Sequence, residues 1–171
     1  RLDDPERIEC VRSYGLLNPH PAPDPFLNEL CKSAAAVVGP NALAIMNALG
    51  DEVAIRIAEH VPPQMDPAAA PPICTPRGTQ ACNYVVYKRS PVVLPSAELA
   101  AGTQGFMQFY TGIPMTCPTT GHALGSFCVV DTEAHPDFTE EAVNRLQMLC
   151  TTAMHHIELR KFDEAFHVFQ I

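Results

Sequence analysis

The segment PPICTPRGTQACNYVVYKR, residues 71–89, holds two cysteines eight positions apart, a Pro-Arg-Gly turn between them and a closing Lys88-Arg89 pair. A thiol can ligate a metal, carry a covalent cofactor or be oxidised reversibly. Zinc sites usually show closely spaced ligand pairs, such as two cysteines three positions apart. Cys74 and Cys82 lack that spacing. His155 and His156 are adjacent, so on a helix they leave different faces and make no i,i+4 ligand pair. No metal is expected. Redox switching wants an accessible thiolate near positive charge. Arg77 follows Cys74, and Lys88 and Arg89 follow Cys82, so Cys74 and Cys82 are the redox candidates. Cys10, Cys31, Cys128 and Cys150 read as small core residues.

Other chemistry is not visible. The serines at 13, 33, 90, 96 and 126 lack a nucleophile-elbow context. Glu140-Glu141 suits the positive end of a helix better than an acid–base pair. Gly78, Gly102 and Gly105 are isolated, not a phosphate-cradling loop. The chain therefore reads as a non-catalytic module, with thiol chemistry as the one open enzymatic route.

The surrounding composition sets the frame. The 171 residues suit one domain, residues 1–171, and 47% hydrophobic against 18% charged residues supplies a core. A formal charge of -8 without a basic stripe argues against nucleic acid. No apolar run is long enough to span a membrane, and no basic start precedes an apolar run as in a secretory leader. Seven cysteines, an odd and scattered set, suit reduced thiols in the cytoplasm.

The elements that must position these residues follow from pattern. Residues 2–15 read as an N-terminal helix, with Asp4 as cap, Pro5 at the first position and Gly15 as stop. A second helix starts at Asp24-Pro25 and ends at Gly39-Pro40. ALAIMNA and EVAIRIAEH, joined by Gly50-Asp51, read as a hairpin whose second strand leaves one face wet. Residues 61–76 form a variable Pro/Ala loop. A short helix over 79–87, an edge strand in SPVVLP, a helix from Ser96, two strands around Pro118–Gly121 and a long helix over 139–168 complete the order. Hairpins dominate, which predicts an α+β domain with a mostly antiparallel sheet of five to six strands flanked by helices.

Three stretches resemble one family. LDDPERIECVRSYGLLN looks like the N-terminal lead of GAF domains from bacterial-type histidine kinases and nucleotide cyclases. FYTGIPM looks like their fourth strand, and GHALGSFCVVDTEAHPDFTEE like their fifth strand and the following helix start. The resemblance spans roughly residues 2–160. It implies a regulatory module that binds a small ligand between the sheet and its shorter helices, forms a homodimer and drives a linked output domain. The implied pocket candidates are Cys82, Tyr84, Phe106, Met107, Phe109, Tyr110, Thr111 and Cys128. Bilin-carrying relatives attach their chromophore through a cysteine usually followed by histidine. Asn83 follows Cys82 here, so bilin is disfavoured, as is haem, and the ligand stays unassigned. The Asn-Lys…Phe…Asp-Glu signature of cyclic-nucleotide binders is not matched, nor are the motifs of the methionine-sulfoxide-reducing group. Two alternatives stand beside the ligand sensor: a ligand-free dimerisation scaffold and a thiol redox sensor.

The long C-terminal helix carries an apolar stripe at spacings of three and four, Val143, Leu146, Cys150, Ala153 and Ile157, which reads as a dimer seam. The same stripe would also serve to pack on the sheet. Phe162, Phe166 and Phe169 continue apolar character into the tail.

Overall fold

The computed structural model describes residues 5–66, 68, 74–76, 81–96 and 107–169, with backbone alone for 164–169. The elements are α1 (Pro5–Ser13), α2 (Pro25–Val38), β1 (Leu43–Leu49), β2 (Val53–His60), β3 (Cys74–Pro76), α3 (Ala81–Lys88), β4 (Val92–Leu94), β5 (Phe109–Thr116), β6 (Ala123–Asp131) and α4 (Glu140–Phe169). The six strands form one sheet in the order β3-β2-β1-β6-β5-β4, and every pairing is antiparallel. This is the expected α+β architecture. SPVVLP does form an edge strand, as its flanking prolines required. The expected cap at Asp4 and the helix expected from Ser96 into 97–106 lie outside the described residues.

Two differences from the sequence reading have physical causes. The end of the Pro/Ala loop is not irregular: Cys74–Pro76 pairs with Val53–Ile55 and extends the sheet by one short strand. Nor does β2 keep a wet face. Ala54, Ile55, Ile57 and Ala58 are all buried. A bulge opposite Met46/Asn47 breaks the two-residue period, and helices cover both sides of the sheet.

Alternation in β1 shows the layers. Ala44, Met46 and Ala48 join a core with α1, α2 and α4, whereas Leu43, Ile45 and Leu49 join a second core under α3. The centre is tight. A Cβ on Gly125 would stand 1.8 Å from the Asn47 carbonyl oxygen of β1, so only glycine fits in β6 there. Arg7, buried on α1, donates to the carbonyls of Leu49 and Ala123 at 3.0 and 3.1 Å. These bonds fix α1 to the ends of β1 and β6.

Asp24 is the clamp between α2 and α4. One carboxylate oxygen caps α2 by accepting from the Leu27 amide at 3.1 Å. The other meets His156 at 2.8 Å and Arg160 at 3.0 Å on α4. Phe26 stacks beside it on the His156 ring, centroids 4.5 Å apart. Burial alone would raise the Asp24 pKa. The bonds from His156, the Leu27 amide and Arg160 outweigh burial and hold it below the ordinary value. A depressed folded-state pKa contributes stability above the unfolded value, and that contribution is lost as pH falls through the folded value. Asp24→Ala should therefore cost about 2 kcal/mol in urea unfolding at neutral pH, a full cap loss. Asp24→Asn, which can still cap α2, should cost less but flatten the acid limb of the stability profile below the ordinary aspartate range. Equal losses for both variants would contradict the clamp.

Candidate functional site

The face of the sheet under α3 gathers polar groups inside an apolar layer. Alternation places Asn47 of β1, Ser126 and Cys128 of β6 and Tyr110 of β5 on that side, and α3 lowers Cys82 onto them. Asn47 Nδ2 donates to Cys82 Sγ at 3.3 Å, and the Cys82 and Cys128 sulfurs are 4.0 Å apart. Both cysteines are buried. The Tyr110 and Ser126 hydroxyls face the Cys82 thiol and each other, yet neither forms a well-aligned hydrogen bond. An unmatched buried hydroxyl costs roughly 1–3 kcal/mol. Two such groups around one thiol are a costly arrangement for a core that has no use for them.

The electrostatics follow from this enclosure. The Cys128 hydrogen bond, opposed by burial and assisted by Asn47, brings the Cys82 thiol down to about 7. Its role in that bond, together with burial, drives Cys128 well above the usual thiol range. Burial raises the Tyr110 hydroxyl as well, so it remains a donor at neutral pH.

Three of the expected pocket residues, Cys82, Tyr110 and Cys128, thus meet. Met107 packs partly buried at the margin of the same layer. Phe109 and Thr111 alternate to the opposite face: Phe109 packs on Phe138 and His135, and Thr111 donates to the Val92 carbonyl at 3.0 Å. Tyr84 points outward, 49% exposed, with Lys88 over its ring. Phe106 lies outside the described residues. Of the redox candidates, Cys74 is exposed on edge strand β3, with β2 and β1 between it and the strand that carries Cys128, the partner of Cys82. Asn47 and Ser126 were missed. The signal for Asn47 was present, as the one amide side chain in an otherwise apolar strand.

The site is closed in this conformation. A Cβ on Gly112 would lie 2.6 Å from Val85 Cγ2 and 2.7 Å from the Tyr110 hydroxyl, so α3 rests directly on β5. A separate depression of about 430 Å3 lies near Val37, His135 and Phe138, away from these polar groups. Its His135 is already bonded to Asp131 at 2.6 Å. Among the described residues no group of three or more acidic, histidine or cysteine side chains is placed to hold a metal ion.

The sequence model of the GAF domain family matches residues 22–157, and the chain belongs to that family. The GAF-B domain of DevS from Mycobacterium smegmatis superposes with a TM-score of 0.60 at 13% identity, covering 82% of this chain and 96% of that one. The PixJ GAF domain from Thermosynechococcus elongatus, in its blue-light absorbing form, gives 0.63 at 11% identity over 96% and 95%. A type II free methionine-R-sulfoxide reductase from Thermoplasma acidophilum gives 0.53 at 12% over 77% and 94%. No curated protein matches the sequence. At such identities the likenesses establish the fold, and function must be argued from the site.

Gly112→Ala tests whether α3 is the cover. The added methyl must push Val85 and α3 outward, and Cys82 should then react with iodoacetamide at least about tenfold faster with little change in helix content. Unchanged Cys82 protection in a folded variant would show that something other than this packing shields the thiol.

Proposed function

We propose that this chain is a sensory module that takes a small polar ligand beneath α3 and passes the change through α4 to a second copy and a linked output domain. The observation that carries the reading is the pair of buried, unaligned hydroxyls of Tyr110 and Ser126 around Cys82. A ligand with a carbonyl, amide or hydroxyl group would satisfy both and offset their cost. Entry requires α3 to lift. Bilin attachment draws no support, since Asn83 follows the buried Cys82. The direct seat of α3 on Gly112 favours a second reading, a ligand-free dimerisation domain. The 4.0 Å sulfur contact keeps thiol oxidation at Cys82 as a third. All seven cysteines are free, as suits the cytoplasm. No helix among the described residues is long and apolar enough to cross a membrane.

The surface we propose for the second copy differs from the stripe expected from the sequence. Leu146, Cys150, Ala153 and Ile157 are buried against the sheet and α2, and Val143 packs on the same core. They are committed to the domain's own fold. The outer face of α4 instead presents Met148, Leu159 and Phe162, each more than 60% exposed, with Thr152 and His155 between them. Positions 148, 152, 155, 159 and 162 step by four and three, and the sequence continues the period to Phe166 and Phe169. That spacing is a heptad seam, and α4 at 30 residues runs roughly 45 Å.

Native mass spectrometry of freshly purified protein tests the ligand: a co-purifying small molecule supports the sensor, and a clean apo mass from several hosts supports the scaffold. Sedimentation tests the seam. Leu159→Glu should convert a dimer to a monomer with little loss of stability, while Leu146→Ala should cost about 3 kcal/mol and leave the dimer intact. The reverse pattern would return the seam to the inner stripe.

A further inference from the structure

A second group of reactive side chains lies where α1, the β5–β6 turn and α4 meet, and the α3 site does not use it. Cys117 follows β5 and is buried. Its Sγ accepts from the Thr120 amide at 3.4 Å, and the Tyr14 hydroxyl stands 3.1 Å away. The Thr120 hydroxyl and the Thr119 amide also favour its thiolate form. The turn aims these donors. Gly121, at φ +77°, donates to the Cys117 carbonyl at 2.9 Å, and the Cys117 amide donates to His122 at 2.8 Å. Thr120 bridges this thiol to Cys10 of α1: the Cys10 sulfur stands 3.4 Å from the hydroxyl of the same residue whose amide donates to Cys117. Lys161 of α4 sits 4.4 Å above the Tyr14 ring and donates to Ser13 at 3.2 Å. Thr119 donates to Glu158 of α4 at 2.8 Å.

We propose that Cys117 is a hydroperoxide-reactive thiol resolved by Cys10. The Cys117 thiolate attacks one peroxide oxygen, the O–O bond breaks and hydroxide leaves, taking up the proton the thiol released to become water. Cys117 is then a sulfenic acid. The Cys10 sulfur attacks the Cys117 sulfur, the S–O bond breaks, and water departs with the Cys10 proton. A Cys10–Cys117 disulfide remains. The two thiols have lost two electrons, and hydrogen peroxide has become two waters.

The surroundings favour this order of events. Burial pushes the Cys117 thiol up, but the Thr120 hydroxyl, Tyr14 and the two turn amides outweigh it and bring it to about 7. Burial keeps Cys10 above its ordinary value, which suits the second, resolving step. Burial also holds the Tyr14 hydroxyl well above its ordinary value, so it stays a donor to the thiolate. Cys10 is half-buried and the turn residues Pro118–Gly121 that cover Cys117 are exposed. Among the described residues, Lys161 acts on Cys10 and Glu158 on Tyr14, both from α4. The disulfide would staple α1 to a turn already tied to α4, at the junction of the two terminal helices.

The test uses the full chain, hydrogen peroxide and peptide mapping. The expected products are a Cys10–Cys117 disulfide reversed by dithiothreitol and, in Cys10→Ser, a Cys117 sulfenic acid trapped by dimedone. Tyr14→Phe keeps the ring and removes the donor. It should raise the pH midpoint of Cys117 alkylation and slow the peroxide reaction by about tenfold, the loss of one charge-assisted hydrogen bond. Oxidation of exposed Cys74, or a Cys82–Cys128 disulfide, while Cys117 stays reduced would overturn the proposal. So would an unmoved alkylation midpoint in a folded Tyr14→Phe.

Discussion

The close approach of β1 and β6 is the constraint from which the rest follows. Gly125 lies against the Asn47 carbonyl so tightly that a methyl group could not be inserted. That contact fixes the register of the two central strands. Register then decides every side chain's face, because a one-residue slip reverses the whole strand. It puts Met46 opposite Phe127 toward α2 and α4, and Asn47 opposite Ser126 toward α3. The same step in β6 turns Cys128 to the α3 side, where Cys82 meets it. The chemistry under α3 is a consequence of sheet geometry at one glycine.

The two faces are built for different purposes. The α2/α4 face is apolar and is locked by Asp24, whose carboxylate joins the start of one helix to the side of the other. The α3 face is thinner. An eight-residue helix covers it, and a helix that short has little stability apart from its packing. A domain that holds α4 firmly and α3 lightly can open on the α3 side without losing its fold.

Much of the fold was legible because it rests on local signals. Asp24-Pro25 marks a helix start by capping chemistry, and the long helix opens in the same way on Thr139, whose hydroxyl accepts from the Ala142 amide at 3.1 Å. SPVVLP announced an edge by its prolines. What was not legible depends on the third dimension. The bulge in β2 leaves no mark in its apolar alternation. Phe109 and Thr111 share a strand with Tyr110, and only parity relative to β6 tells which of the three faces α3. The inner stripe of α4 and its outer seam both step by three and four. Burial alone separates the one that packs on the sheet from the one left outside. Cys117 drew no notice because its donors come from α1 and from a turn, far apart in sequence.

The central claim is that α3 is a cover that opens while the rest of the sheet stays folded. Native-state hydrogen exchange measures this directly. The account predicts that amides of residues 81–88 exchange through a local opening several-fold to orders of magnitude faster than those of β1 and β6, with a weak dependence on denaturant. Exchange of α3 only through global unfolding, at the same free energy as β1 and β6, would contradict it.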